Sequence, residues 1–257
     1  MCELFGISGR KKINAREYLK EFYSHSTEHP HGWGMAVFYG DIASVEKEPV
    51  QAICSTYLRE RLRGNIETGA MLAHIRLATV GSMDYENCHP FVKKDNSGRH
   101  WTLIHNGTMF DCPVLNAYFY QQEGRTDSER ILFYFVDMLD QEQERKGSSL
   151  VPEERFCLLD RLICNMAEGN KMNLLLYDGE YMYAHTNYAD SLYYRKMKDG
   201  VLLSTRPLKG DGWELVPMCT LLAFKDGEQV FVGTNHGHEY FDNENDMQFL
   251  FLDSASL

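Results

Sequence analysis

The sequence is short of the features that mark several large classes of protein. None of its apolar runs reaches the roughly 18 residues that a membrane-spanning helix needs, so a bilayer is not its expected solvent. Its start has neither a basic segment nor the apolar run of about 7–15 residues that makes a secretory signal, which gives a cytoplasmic expectation. Positive charge is scarce: 26 Lys and Arg against 37 Asp and Glu leave a net charge of −11, which argues against a nucleic-acid backbone as partner. The 7 cysteines are scattered and none stands in CxxC spacing, so free thiols in a reducing compartment are expected. No metal site follows from them, nor from His29 and His31 or His236 and His238, which have no cysteine at zinc-finger distance. No cofactor loop is present. No linker rich in Pro, Gly or Ser, repeat or low-complexity block divides the 257 residues, so one domain is the default.

What is present is an ordinary globular composition, 44% hydrophobic and 25% charged. Strand-like apolar runs come first, at 3–8, 33–39, 70–76 and 101–105. The period then changes. Over 127–140, Ile131, Phe135 and Met138 form one stripe with Leu132, Val136 and Leu139 beside it, and Thr126 and Glu129 have capping-box spacing. A second helix is expected after Pro152, burying Phe156, Leu159, Ile163 and Met166. Two hairpins follow, around Asp178-Gly179 and Asp226-Gly227. Strands, helices, then strands, without regular βαβ alternation, predict an α+β fold of two mainly antiparallel sheets with helices packed outside. The histidine-rich stretch after Gly233 gives no clear prediction.

The chemistry starts at Cys2. Behind so small a side chain, Met1 is an expected target for removal, which leaves a thiol and a free α-amine on one residue. An α-amine has an ordinary pKa near 7.7–8.0, so a nucleophile and its general base can share Cys2. Four polar clusters sit in or beside apolar runs. His31-Gly32-Trp33-Gly34 permits close backbone approach, or is simply a turn with a core aromatic. In the run 74–81, Arg76 alternates with apolar residues and needs an anion, either a substrate carboxylate or a structural Asp or Glu. At His105-Asn106-Gly107, the Asn106 amide and the Gly107 N–H can converge as an oxyanion hole, though Asn-Gly is also a common turn. At 126–129, Asp127 caps a helix, and it could also face a ligand ammonium.

Taken in order, Cys2-Glu3-Leu4-Phe5-Gly6, the motifs at 31–34, 74–79, 87–91 (Asn-x-His-Pro-Phe), 105–107 and 126–129 resemble the class II glutamine amidotransferases. The resemblance covers essentially the whole chain, including the segment 204–208 (Ser-Thr-Arg-Pro-Leu), which is similar to a late segment bordering the site in stand-alone members. It implies an N-terminal-nucleophile hydrolase with a four-layer αββα sandwich. It further implies Cys2 as nucleophile, Asn106 and Gly107 as oxyanion hole, and Arg76 and Asp127 as holders of the substrate α-carboxylate and α-ammonium, with Thr79 and His105 adding contacts. Leu77 and Val80 depart from the Trp and His common in larger members, which should reshape the pocket rim.

Residues 2–257 are expected to form one glutaminase domain without a synthase domain. Three functions then compete: a hydrolase of glutamine or of a γ-glutamyl small molecule, a glutaminase subunit serving a separate synthase partner, and a non-catalytic module that binds a γ-glutamyl ligand or a protein. The oligomeric state is not legible.

Overall fold

The structure is a computed structural model and describes residues 2–40, 42–78 and 82–242. In chain order the elements are β1 (Glu3–Asn14), α1 (Arg16–Ser24), β2 (Trp33–Tyr39), β3 (Ile42–Glu48), α2 (Thr56–Arg61), β4 (Glu67–Ile75), β5 (Phe91–Lys94) and β6 (His100–Thr108). They continue with α3 (Asp127–Lys146), α4 (Pro152–Ala167), β7 (Lys171–Tyr177), β8 (Met182–His185), β9 (Tyr193–Met197), β10 (Gly200–Ser204), β11 (Trp213–Leu215), β12 (Leu222–Lys225) and β13 (Glu228–Val232).

Two sheets form, with strand orders β11-β9-β10-β1-β4-β2-β3 and β13-β12-β8-β7-β6-β5. Every pairing is antiparallel. The period-2 pattern of the strands divides the apolar side chains among three cores. On β1, Phe5 and Ile7 point outward to Leu19, Phe22 and Leu58 of α1 and α2, whereas Leu4 points inward. The inward core between the sheets brings Leu4, Leu72 and Leu203 against Ile104, Leu175 and Leu222. On the far side Trp101, Leu103, Leu174 and Leu176 meet α3 and α4 through Ile131, Phe135, Phe156 and Leu159. Helices, sheet, sheet, helices: this is the expected αββα sandwich.

The local signals hold with two refinements. Thr126 caps α3 by accepting the Glu129 N–H, but the Glu129 carboxylate does not close a capping box. It accepts from the N–H groups of Glu123 and Gly124 instead, because that loop would otherwise leave both donors without a protein partner. At Asp226-Gly227 both residues have positive φ, 53° and 82°, in a two-residue turn as a tight hairpin requires. The Asp178-Gly179 hairpin has four residues between its strands, because the buried Asp178 side chain accepts from the Glu180 and Tyr181 N–H groups and pairs with Arg155 at 2.9 Å. The histidine-rich stretch 234–242 forms no helix or strand.

Candidate active site

Three neighbouring strands converge at one end of the first sheet. Cys2 stands immediately before β1, the register Glu3↔Ile75 brings the end of β4 beside it, and Phe5↔Ser204 brings the end of β10 to the other side. The Cys2 thiol is partly buried, with the Leu77 N–H donating to Sγ at 3.4 Å and Sγ lying 3.5 Å from the Leu77 carbonyl. Burial pushes its pKa up, while the Leu77 N–H and the nearby Arg76 charge work the other way by favouring the thiolate.

The turn that presents Leu77 is held by the His-Gly-Trp-Gly segment. Arg76 N–H donates to Gly32 O at 2.8 Å, His31 N–H to Arg76 O at 3.0 Å, and Ala78 N–H to His31 Nδ1 at 2.8 Å. Gly34 serves a second approach, since a Cβ there would run into the His89 carbonyl oxygen. The Arg76 side chain is buried, and its Nη1 donates to Ser82 O at 2.9 Å. Burial lowers its pKa from the ordinary guanidinium value, and Cys2, Cys88 and Asp84 oppose that shift.

From the second sheet, β6 brings Asn106 to the same cleft as Cys2. Gly107 lies opposite Met172, and a Cβ there would collide with the Lys171 carbonyl, so the backbones approach as only glycine allows. Asp127 opens α3. Its Oδ2 accepts from the Met109 N–H at 2.8 Å and its Oδ1 from the Ser128 hydroxyl at 3.3 Å, and its charge reaches the Cys2 thiol. Of the expected site residues Cys2 and Asn106 line the cleft, and Arg76, Gly107, Asp127 and His105 stand outside its lining. The His105 Nδ1 lies 3.0 Å from Ser128 Oγ, so His105 stands behind Asp127 in a His105–Ser128–Asp127 chain. Thr79 lies outside the described residues. Burial holds His74, His89 and His105 below the ordinary imidazole pKa, His74 at about 3, so all three are neutral packing groups at neutral pH.

The cleft has a volume of about 320 Å³. Besides Cys2, Leu77 and Asn106, its lining includes Glu3, Tyr188, Ser191 and Arg206. In the sequence Glu3 stands out only as part of a motif and Arg206 only as part of a bordering segment. A carboxylate two places into an apolar run was the available signal for Glu3. It is buried, with His25 Nδ1 at 2.8 Å and Arg206 Nε at 2.8 Å. The segment 204–208 is laced to β1, with Thr205 N–H donating to Leu4 O and Leu4 N–H to Thr205 Oγ1.

Among the described residues no three His, Cys, Asp or Glu side chains converge as a metal centre requires, and no helix is long and apolar enough to cross a membrane. His29 and His31 part company, the first turned toward Glu3 and the second fixing Ala78. All seven cysteines are free thiols.

A family model described as glutamine amidotransferases class-II matches residues 1–199. An uncharacterised protein of Methanocaldococcus jannaschii is 30% identical over 259 residues, covering 90% of this chain and 71% of its own. A putative glutamine amidotransferase of Haemophilus influenzae is 29% identical, with coverage of 90% and 86%. The fold is also that of a predicted glutamine amidotransferase from Pseudomonas aeruginosa, with a TM-score of 0.62, 21% identity, and coverage of 90% of this chain and 100% of that one. Glutamine phosphoribosylpyrophosphate amidotransferase of B. subtilis superposes with a TM-score of 0.65 at 18% identity, over 89% of this chain and 48% of that one. The family match over most of the chain and the relatives matched over 90% of it agree with the architecture and the motif order: this chain belongs to the class II glutamine amidotransferases.

Proposed function

We propose that this protein hydrolyses the γ-glutamyl amide bond of glutamine or a γ-glutamyl compound through a Cys2 thioester. The observation that carries the reading is the Cys2 thiol, which receives the Leu77 N–H at 3.4 Å in a cleft shared with Asn106, with the Arg76 and Asp127 charges both acting on it. Once Met1 is removed, the Cys2 α-amine takes the thiol proton and the thiolate attacks the γ-carbonyl carbon. Asn106 and the Gly107 N–H hold the oxyanion. The protonated amine gives its proton to the departing nitrogen as the C–N bond breaks, and water then cleaves the thioester to release glutamate.

Arg76 pairs with the α-carboxylate and Asp127 with the α-ammonium. Thr79 adds a substrate contact, and His105 acts through Ser128 by fixing the Asp127 carboxylate. Residues 2–257 form one glutaminase domain on this reading, and β10 to β13, beyond the span of the family model, complete both sheets. The free thiols suit a reducing compartment such as the cytoplasm. A second reading, a glutaminase subunit that passes ammonia to a separate synthase, draws on the superposition with just under half of the B. subtilis chain.

The test is release of glutamate and ammonia from glutamine by the purified protein, in wild type and in Arg76→Ala. Loss of one charge-assisted carboxylate contact, about 1.5–3 kcal/mol, should raise KM about 10- to 100-fold while kcat changes less. An unchanged KM would remove Arg76 from the substrate site.

A further inference from the structure

Two arginines flank the nucleophile. In the sheet order β10-β1-β4, Arg76 follows β4 and Arg206 follows β10, with Cys2 at the head of β1 between them. Neighbouring strands lie about 4.8 Å apart, so the two strand ends are separated by about 10 Å. In a γ-glutamyl amino acid the two carboxyl carbons are seven bonds apart, at most about 9 Å when extended. With Cys2 between the two strand ends and Arg206 lining its cleft, a substrate with its first carboxylate on Arg76 and its scissile amide at Cys2 extends its leaving group to the β10 side, where Arg206 stands.

Arg206 is built to receive it. Its Nε lies 2.8 Å from Glu3 Oε1, an ion pair without hydrogen-bond geometry, and Glu3 is only 3% exposed and is itself fixed by His25. The Glu3 charge anchors the Nε side of the guanidinium, and its Nη groups, the fork that matches a carboxylate, remain for other acceptors. The side chain is 45% exposed and lines the cleft with Cys2, with Tyr188 and Ser191 also in the lining. Its Nη2 now holds Glu28 Oε2 at 2.7 Å, and Glu28 is 61% exposed. So exposed a pair is weakly held and yields to a competing carboxylate.

We propose that Arg206 is the carboxylate receptor of a leaving-group subsite, and that the preferred substrates are γ-glutamyl amino acids whose departing amine bears an α-carboxylate. Glu28 occupies the receptor when the site is empty and is displaced on binding. The chemical step is unchanged: the C–N bond breaks, the Cys2 ammonium protonates the amino acid nitrogen, and water releases glutamate. This proposal rests on the reading of Cys2 as the γ-glutamyl-cleaving nucleophile.

The experiment compares kcat/KM for γ-glutamyl-alanine and its neutral isostere γ-glutamyl-alaninamide, with glutamine alongside. Wild type should favour the carboxylate at least about tenfold, equivalent to about 1.4 kcal/mol. Arg206→Gln should bring the ratio close to one whatever its absolute activity. Glu28→Gln, which removes the competitor and leaves Glu3 in place, should lower KM for γ-glutamyl-alanine about threefold. Equal kcat/KM for the two dipeptides in wild type, with glutamine cleaved, overturns the subsite, and a ratio that survives in Arg206→Gln overturns the role of Arg206. Cleavage of none of the three contradicts the γ-glutamyl hydrolase reading itself.

Discussion

Cys2→Ala is expected to abolish glutamine hydrolysis, lowering kcat by about four orders of magnitude or more. Removing a nucleophile takes with it the covalent route and leaves only binding and electrostatic stabilisation. Here the same residue is proposed to carry the base, and the histidines around it are otherwise engaged: His29, which shares the cleft, has Nδ1 2.9 Å from His25 O and Nε2 turned to Glu3, His31 Nδ1 is engaged by the Ala78 N–H, and His74 has a pKa of about 3. Cys2→Ser separates the two roles, because it keeps the α-amine and a hydroxyl but replaces the thiol with a far weaker acid. It should be nearly as inactive as Cys2→Ala and still bind glutamate. Steady-state ammonia release, with glutamate binding measured by calorimetry, checks both. Turnover within about tenfold of wild type in Cys2→Ala would place the nucleophile elsewhere.

Asn106→Ala should produce the next largest loss. Asn106 is buried at the cleft beside Cys2, and its amide is proposed to reach the developing oxyanion. Deleting one such donor raises the barrier by about 3–4 kcal/mol, about 10²- to 10³-fold in kcat. The donor acts in the transition state more than in the ground state, so affinity for glutamate should stay within about threefold. Equal losses in kcat and in glutamate affinity would assign Asn106 to ground-state binding instead. The neighbouring Gly107 is a poor mutational probe, since any side chain there meets the Lys171 carbonyl and disturbs the β6–β7 pairing first.

Much of this arrangement is legible in the sequence, for identifiable reasons. Strands buried on both faces read as continuous apolar runs, which is why β2 at Trp33–Tyr39 coincides with its predicted span. The α3 stripe is equally plain, but its end is not. The run after Asp140 is polar, and the helix continues through it to Lys146, where Gly147 closes it at φ 74°. Strands such as β9 and β3 escape because they are partly exposed and carry charged side chains that give no apolar signal.

The site shows the same division. Motif residues at strand ends converge because antiparallel pairing puts the start of β1 beside the ends of β4 and β10. The strand period carried a further message about His105. Successive side chains on a strand face opposite sides, so with Asn106 at the cleft the His105 ring belongs on the helical side, where it meets Ser128. The Glu3–Arg206 pair joins residues more than 200 positions apart, and only the β1–β10 register brings them together.

The most direct measurement is the intact mass of the active protein before and after reaction with a glutamine-like diazoketone. The expected result is a species lacking Met1 that gains one adduct, mapped by peptide sequencing to Cys2, with activity lost in proportion. A protein that keeps Met1 and still turns over glutamine, or an inactivating adduct on any other residue, would contradict it.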